Sequence, residues 1–319
     1  MAFAPLKWHR PLTVVSALFL LLALVSAVGI AVDGRTLLGD PVWLKPAKFG
    51  FAFGVYGLTL AWLLSRLKKA RRTGWWFGTV FAVAGLSDIT MIVLAAARGT
   101  FSHFNASTDA FSKAVQIVFA YGVPPIALAN IAFAILVLVQ RSGDRAVDRA
   151  LRAGLLLSTL GMIVVIVPNF VPGLIEVTTR TVTDAAGREV TMAGGHGLAG
   201  HPDGNGMALT GWNDAGGDIR VPHFVGLHGV HVLLLIALVL AKRGRMTEAT
   251  RRRVVGAAAL GYAGFFLVTS WQMLRDQSFA HPDAATLTAY GVVAIVVAAG
   301  LAYARVRATS SREAPVPVA

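Results

Sequence analysis

The chain has 319 residues, 55% of them apolar, with a formal net charge of +13 and no cysteine. An aqueous domain does not carry that apolar share with a strongly positive mean hydropathy; a polytopic membrane protein does. The missing cysteines exclude disulfides, thiolate metal sites, iron–sulfur ligation and covalent c-type haem, so any metal is left to His, Asp, Glu or backbone oxygen.

In chain order, Lys7, His9 and Arg10 precede an apolar run over residues 11–32. That run exceeds a signal-peptide core and predicts a retained first helix. A polar connection with Gly39-Asp40-Pro41 turn chemistry leads to a second span at 47–64, which ends in Arg66, Lys68, Lys69, Arg71 and Arg72. Trp75 and Trp76 open the third span, which ends near residue 97 and is followed by the short loop RGTFSHFNASTDA. The fourth span, 112–140, holds Pro124 and Pro125, which predict a kink. The fifth runs over 153–171, stopped by Pro168 and Pro172.

One long loop follows, residues 173–220. Its alternating VTTRTV and REVT around Asp184-Ala-Ala-Gly187 predict a small β-hairpin. The Gly-rich GGHGLAGHPDGNG beyond it, with His196, His201 and Asp203, is read in two ways, as a flexible loop or as a cap over a site. The sixth span rises from the stretch 216–241, the seventh covers 254–274 and the eighth 285–304. The reading is an all-α polytopic membrane protein of eight transmembrane helices. Its first half is residues 1–149, its second half 150–305 with the loop 173–220, and residues 306–319 form a disordered cytoplasmic tail.

Placing both termini in the cytoplasm and alternating puts 20 of the 29 Lys and Arg residues on the inner side. That asymmetry is the positive-inside rule for a bacterial plasma membrane, and it accounts for the net charge without a nucleic-acid partner. Most acidic groups and most histidines then lie on the extracytoplasmic side.

Three matches in register suggest a duplication. Lys45-Pro-Ala-Lys48-Phe49 aligns with Arg220-Val-Pro-His223-Phe224, Arg98 and His103 with Arg275 and His281, and Tyr121-Gly122-Val123 with Tyr290-Gly291-Val292. They predict two four-helix halves in the same orientation, with Lys48, Phe53 and Tyr56 in the places of His223, His228 and His231.

The candidate site follows from cost. Asp88 is the one acidic residue inside an expected span, and His223, His228 and His231 lie on one face of the sixth. Asp88 and His231 fall at similar depth, roughly 14–15 Å at about 1.5 Å per residue. Ionisable groups at that depth need a partner or a task. Asp88, His228 and His231 are therefore the candidate catalytic or proton-carrying groups, and His223, His228 and His231 the candidate metal ligands. A rim of His223, His103, Arg98, Gln272 and Lys48 is the candidate cofactor- or ligand-binding set, suited to an anionic or quinone-like molecule. The reading that follows is a membrane redox enzyme using haem b, a quinone or a His-ligated metal. The alternative is a proton-coupled transporter or ligand-binding membrane protein using the same residues.

The segments DPVWLKPAKF, ARGTFSHFN, GWNDAGGDIRVPHFVGLHGVH and WQMLRDQ resemble a family of bacterial polytopic integral membrane proteins with no assigned activity. The resemblance covers most of the chain and implies the span count. The tandem four-plus-four plan is also similar to haem A synthase and its relatives, which hold b-type haem between histidines of different helices. Here the histidines inside the expected spans lie on one helix, so such a haem would need His103 or His281 as its second ligand, or a five-coordinate iron. The three-histidine pattern is similar to membrane di-iron hydroxylases and desaturases but departs from them in histidine count and in side.

Overall fold

The computed structural model describes residues 8–140, 142–170, 177–197, 206–244 and 246–310. Among these lie eight α-helices: α1 (Arg10–Val32), α2 (Leu44–Ser65), α3 (Arg71–Arg98), α4 (Ala110–Leu138), α5 (Arg145–Phe170), α6 (Arg220–Lys242), α7 (Glu248–Leu274) and α8 (Ala284–Ser310). All eight are long and apolar enough to cross a membrane. Large apolar side chains such as Leu24, Leu128 and Ile295 stand exposed along them.

The helices start where local chemistry supplies partners for their free N–H groups. Asp109 accepts from the backbone of Phe111 and Ser112 to cap α4, and Thr247 accepts from Thr250 to cap α7. His9 caps α1 with Nδ1, which accepts from Leu12 N at 3.2 Å. Its other nitrogen faces Trp75 O at 2.8 Å, so a neutral ring protonated on Nε2 satisfies both partners and ties α1 to the start of α3.

The chain divides into two compact units, Met1–Gln140 with Pro168–Asp218, and Arg141–Val167 with Ile219–Ala319. In the first, successive helices run antiparallel. Gly50 of α2 lies against Phe19 O of α1, and Gly57 against Ser16. A Cβ at Gly50 would come within 2.7 Å of that carbonyl, so the small residues allow close backbone approach. Phe53 and Tyr56 of α2 pack on Phe81 of α3, and Gly122 of α4 packs on Asp88. In the second unit, Gly161 of α5 meets Gly226 of α6, Tyr262 of α7 donates to Val225 O of α6 at 2.9 Å, and Gly264 of α7 meets Val293 of α8. Arg251, near the start of α7, donates to Asp144, just ahead of α5, at 3.0 Å.

Two small sheets accompany the helices among the described residues. β1 (Thr36–Leu37) pairs with β2 (Asp40–Pro41), turning through Leu38 and Gly39, both at positive φ. The turn thus falls one residue ahead of the expected Gly39-Asp40-Pro41. β3 (Thr179–Thr183) pairs antiparallel with β4 (Glu189–Ala193), and this is the expected hairpin, with Gly187 at φ 75° in its turn. Residues 104–106 add along β4: Ala193 N donates to Phe104 O and Ala106 N to Thr191 O, each at 2.8 Å. Phe101, Val190 and Met192 form a small core beneath, joined by Leu37, Phe104 and Val182. The hairpin is thereby fastened to the α3–α4 loop. The long loop's described residues up to Asp218 belong to the first unit, not to the helices that follow them.

Three boundaries differ from the sequence reading. α5 begins at Arg145 and continues through Pro168, because its arginines extend the helix beyond the apolar run. α4 is continuous from Ala110 to Leu138 with Pro124 and Pro125 inside it. α8 continues to Ser310, so residues 306–310 of the expected tail are helical; residues 311–319 lie outside the described residues.

Candidate functional site

The first unit holds a buried carboxyl with an unsatisfied oxygen. Asp88 is 5% exposed, and its Oδ1 has no hydrogen-bond partner among the described residues. It faces Gly122 of α4 so closely that a Cβ there would overlap the oxygen. The glycine lets an acid side chain fit into the α3–α4 contact where any other residue would exclude it. In the same unit the Tyr56 hydroxyl of α2 donates to Asn130 Oδ1 of α4, and Asn130 Nδ2 finds no partner among the described residues.

At the end of this unit where α2 and α4 begin, charged and aromatic side chains gather. α2 carries Lys45, Phe49 and Tyr56 at spacings of four and seven, on one helical face. Lys48 Nζ donates to Thr210 O at 2.6 Å, joining α2 to the 206–213 turn. His103 lies half-buried in the α3–α4 loop, its ring centroid 4.3 Å from Phe119 and 5.9 Å from Phe49. Burial, then the positive neighbours Lys45 and His196, hold its pKa well below the ordinary histidine value. His196 meets the ring of Phe104 edge-on at 4.8 Å. Phe104 itself adopts φ 58°, a costly left-handed conformation for a bulky residue, held by the bond from Ala193.

Arg98 does not join this group through its side chain. Its guanidinium stacks over Phe111 at 4.6 Å, and its carbonyl accepts from Arg188. That is anchoring geometry. His201 and Asp203, expected to help cap a site, lie outside the described residues.

In the second unit the α6 histidines take separate roles. His223 Nδ1 donates to Gly161 O of α5 at 2.9 Å, which fixes its tautomer and closes the α5–α6 contact. His228 and His231 are neighbours one turn apart, ring centroids 5.2 Å, with Phe224 5.4 Å from His228. For the expected metal set His223, His228 and His231, no three His, Asp or Glu side chains gather among the described residues so as to hold a metal ion. The reason is directional. His223 is turned onto a backbone carbonyl, and α5, α7 and α8 carry no histidine to complete a set.

Gln272, expected at the rim, is 1% exposed and uses both ends of its amide locally. Nε2 donates to Ser278 O at 2.7 Å, and Oε1 accepts from the Tyr290 hydroxyl at 3.2 Å. It braces the α7–α8 turn beside the Arg275–Asp283 ion pair.

Asp88 lies in the first unit and His231 in the second, so their expected pairing rests on matched depth alone. Phe49, Phe104, Phe119, Thr210 and Gly122 were not singled out as site residues from the sequence. No single-residue signal marks them, because loop and helix contacts bring them together. Asn130, a lone amide in an apolar run, did carry such a signal.

No protein-family model, no curated protein and no solved structure matches the chain.

Proposed function

We propose that this chain is a multi-pass plasma-membrane protein of two tandem four-helix halves, with both termini cytoplasmic, and that it couples a proton on Asp88 to a small ligand taken from the extracytoplasmic side. This is the transporter or ligand-binding reading. The observation that carries it is the Asp88 carboxyl, buried between α3 and α4 with Oδ1 unpartnered among the described residues. A charged carboxylate is costly in apolar surroundings unless paired, so any change in those surroundings is linked to gain or loss of a proton. The polar groups at the α2 and α4 starts supply a ligand-facing end within the same unit.

The tandem arrangement is supported by matching packing. In each unit consecutive helices pair antiparallel, and the residue just ahead of the first helix is tied to the start of the third, His9 to Trp75 and Asp144 to Arg251. The basic-residue asymmetry supports the orientation.

The test uses protein reconstituted into vesicles with a pH-sensitive dye inside. With a mixture of small carboxylic acids, amino acids and sugars outside, an imposed pH gradient drives protons inward through the native protein and not through Asp88→Asn. Equal rates for the two would overturn the assignment.

The adjoining His228 and His231 rings favour a second reading, a membrane redox enzyme with a quinone or haem b near α6. A Soret band or stoichiometric iron, copper or zinc in the purified protein selects it over the first.

A further inference from the structure

In the second unit, the starts of α5 and α7 hold more cations than the carboxyls beside them neutralise. The two helices begin side by side. Arg145 N donates to Glu248 at 2.9 Å, and one turn on Arg149 Nη1 donates to Arg252 O at 3.2 Å. The carboxyls here are already engaged. Asp144 accepts from the backbone of Ala146 and Val147 and from Arg251, Asp148 accepts from Ser142 N, and Glu248 pairs with Arg145. Asp144 and Thr247 thus fill the caps from within the chain, and what is left over is side-chain charge.

Among the described residues no carboxylate pairs with Arg149, Arg152 or Arg252, and Arg252 Nε is buried with no hydrogen-bond partner. Arg149 reaches onto α7 over Gly256, where a Cβ would come within 2.6 Å of its guanidinium. Its bond to Arg252 O fixes its place and leaves its charge unneutralised. Like charges therefore meet along one seam, which is unfavourable unless an anion joins them. Arg149 and Arg152, neighbours at i and i+3 on α5, are both exposed. The same helical face continues as apolar surface. Leu156 and Ile163 follow Arg149 at steps of seven residues, 57% and 41% exposed. They lie roughly 10 and 21 Å further along the helix at about 1.5 Å per residue. A cationic head above an apolar track matches an amphiphile better than a free ion.

We propose that Arg149, Arg152 and Arg252 bind the phosphate of an anionic phospholipid whose acyl chain lies along Leu156 and Ile163. Guanidinium forks suit bidentate contact with phosphate oxygens. Basic groups between helices on the cytoplasmic side of a membrane hold headgroups of this kind. The cytoplasmic placing of these helix starts rests on the proposed orientation; Asp88 plays no part in it.

Native mass spectrometry of the detergent-solubilised full-length protein reads the binding, with phosphatidylglycerol and phosphatidylcholine of the same acyl chains titrated in turn. Phosphatidylglycerol is expected to bind about tenfold more tightly, a difference of roughly 1.4 kcal/mol. Arg149→Gln with Arg252→Gln brings the ratio close to one. Arg149→Lys with Arg252→Lys keeps part of it, which separates loss of charge from loss of fold. Arg71→Gln with Arg72→Gln, at the start of α3 in the first unit, leaves the native ratio. No preference in the native protein, a ratio unchanged by the glutamine pair, a lysine pair as impaired as the glutamine pair, or an equal loss on changing Arg71 and Arg72 would each overturn the proposal. Inorganic phosphate that displaces phosphatidylglycerol at equal concentration would assign the arginines to a free anion and overturn it too. Failure here leaves the Asp88 proton assignment standing, because the vesicle measurement compares only the native protein with Asp88→Asn.

Discussion

Asp88 and Gly122 meet across the α3–α4 contact with no space for a Cβ on the glycine. Gly122→Ala therefore drives a methyl into a carboxyl oxygen, and overpacking of this kind costs about 1–3 kcal/mol. Asp88→Ala should relieve that clash, so the double variant melts higher than the two single losses would sum to. Thermal melts of the four proteins in detergent check this; strictly additive losses would show that the two residues do not share the contact.

Tyr56 and Asn130 form a buried polar pair in the first unit. Tyr56→Phe leaves Asn130 Oδ1 without its donor in a site 1% exposed, at a cost of about 1–3 kcal/mol. Replacing both, with Tyr56→Phe and Asn130→Leu, should recover part of the loss, since no buried amide then lacks partners. A Tyr56→Phe protein as stable as the native one would show that the bond contributes nothing net.

His9 makes stability depend on pH. Burial is the largest influence on it and lowers its pKa below the ordinary 6.5; its backbone contacts oppose that and do not reverse it. The unfolded chain thus takes up the proton first as pH falls. The stability from neutral His9 is full above about 6.5 and is lost as pH drops from there through the lower folded value. His9→Ala should flatten this dependence and, at alkaline pH, cost about 1 kcal/mol for the lost cap. Melting curves across that range check it; an unchanged slope in the variant would assign the dependence to another group.

The eight helices were legible in the sequence because each apolar run falls in the length range that spans a bilayer core and ends in Gly, Pro or clustered charge. The hairpin was legible from the alternation in VTTRTV and from Gly187. The start of α5 was not, since Arg145, Arg149 and Arg152 read as a polar loop although their long stems suit a helix end. The placement of the long loop was also hidden. Chain order joins it to α6, whereas Val190 and Met192 bury against Phe101 of the first unit. Asp88 stood out as an acid among apolar residues, but the glycine that accommodates it did not. The three histidines shared a helical face, yet nothing in their spacing showed that His223 would turn onto Gly161 O.

The orientation is tested by reporter fusions to the full chain. Fusions after Arg72 and after Arg253 should read cytoplasmic, and one inserted within β3–β4 should read external. An external signal after Arg253 would contradict the arrangement derived from the basic residues.

Infrared spectroscopy of the membrane-reconstituted protein reads directly whether Asp88, as proposed, takes and releases a proton. A carboxylic-acid C=O band that fades as pH is raised and is missing from Asp88→Asn is expected, with the other carboxyl bands unchanged. A spectrum in which Asp88→Asn shows the same titrating bands as the native protein would contradict it.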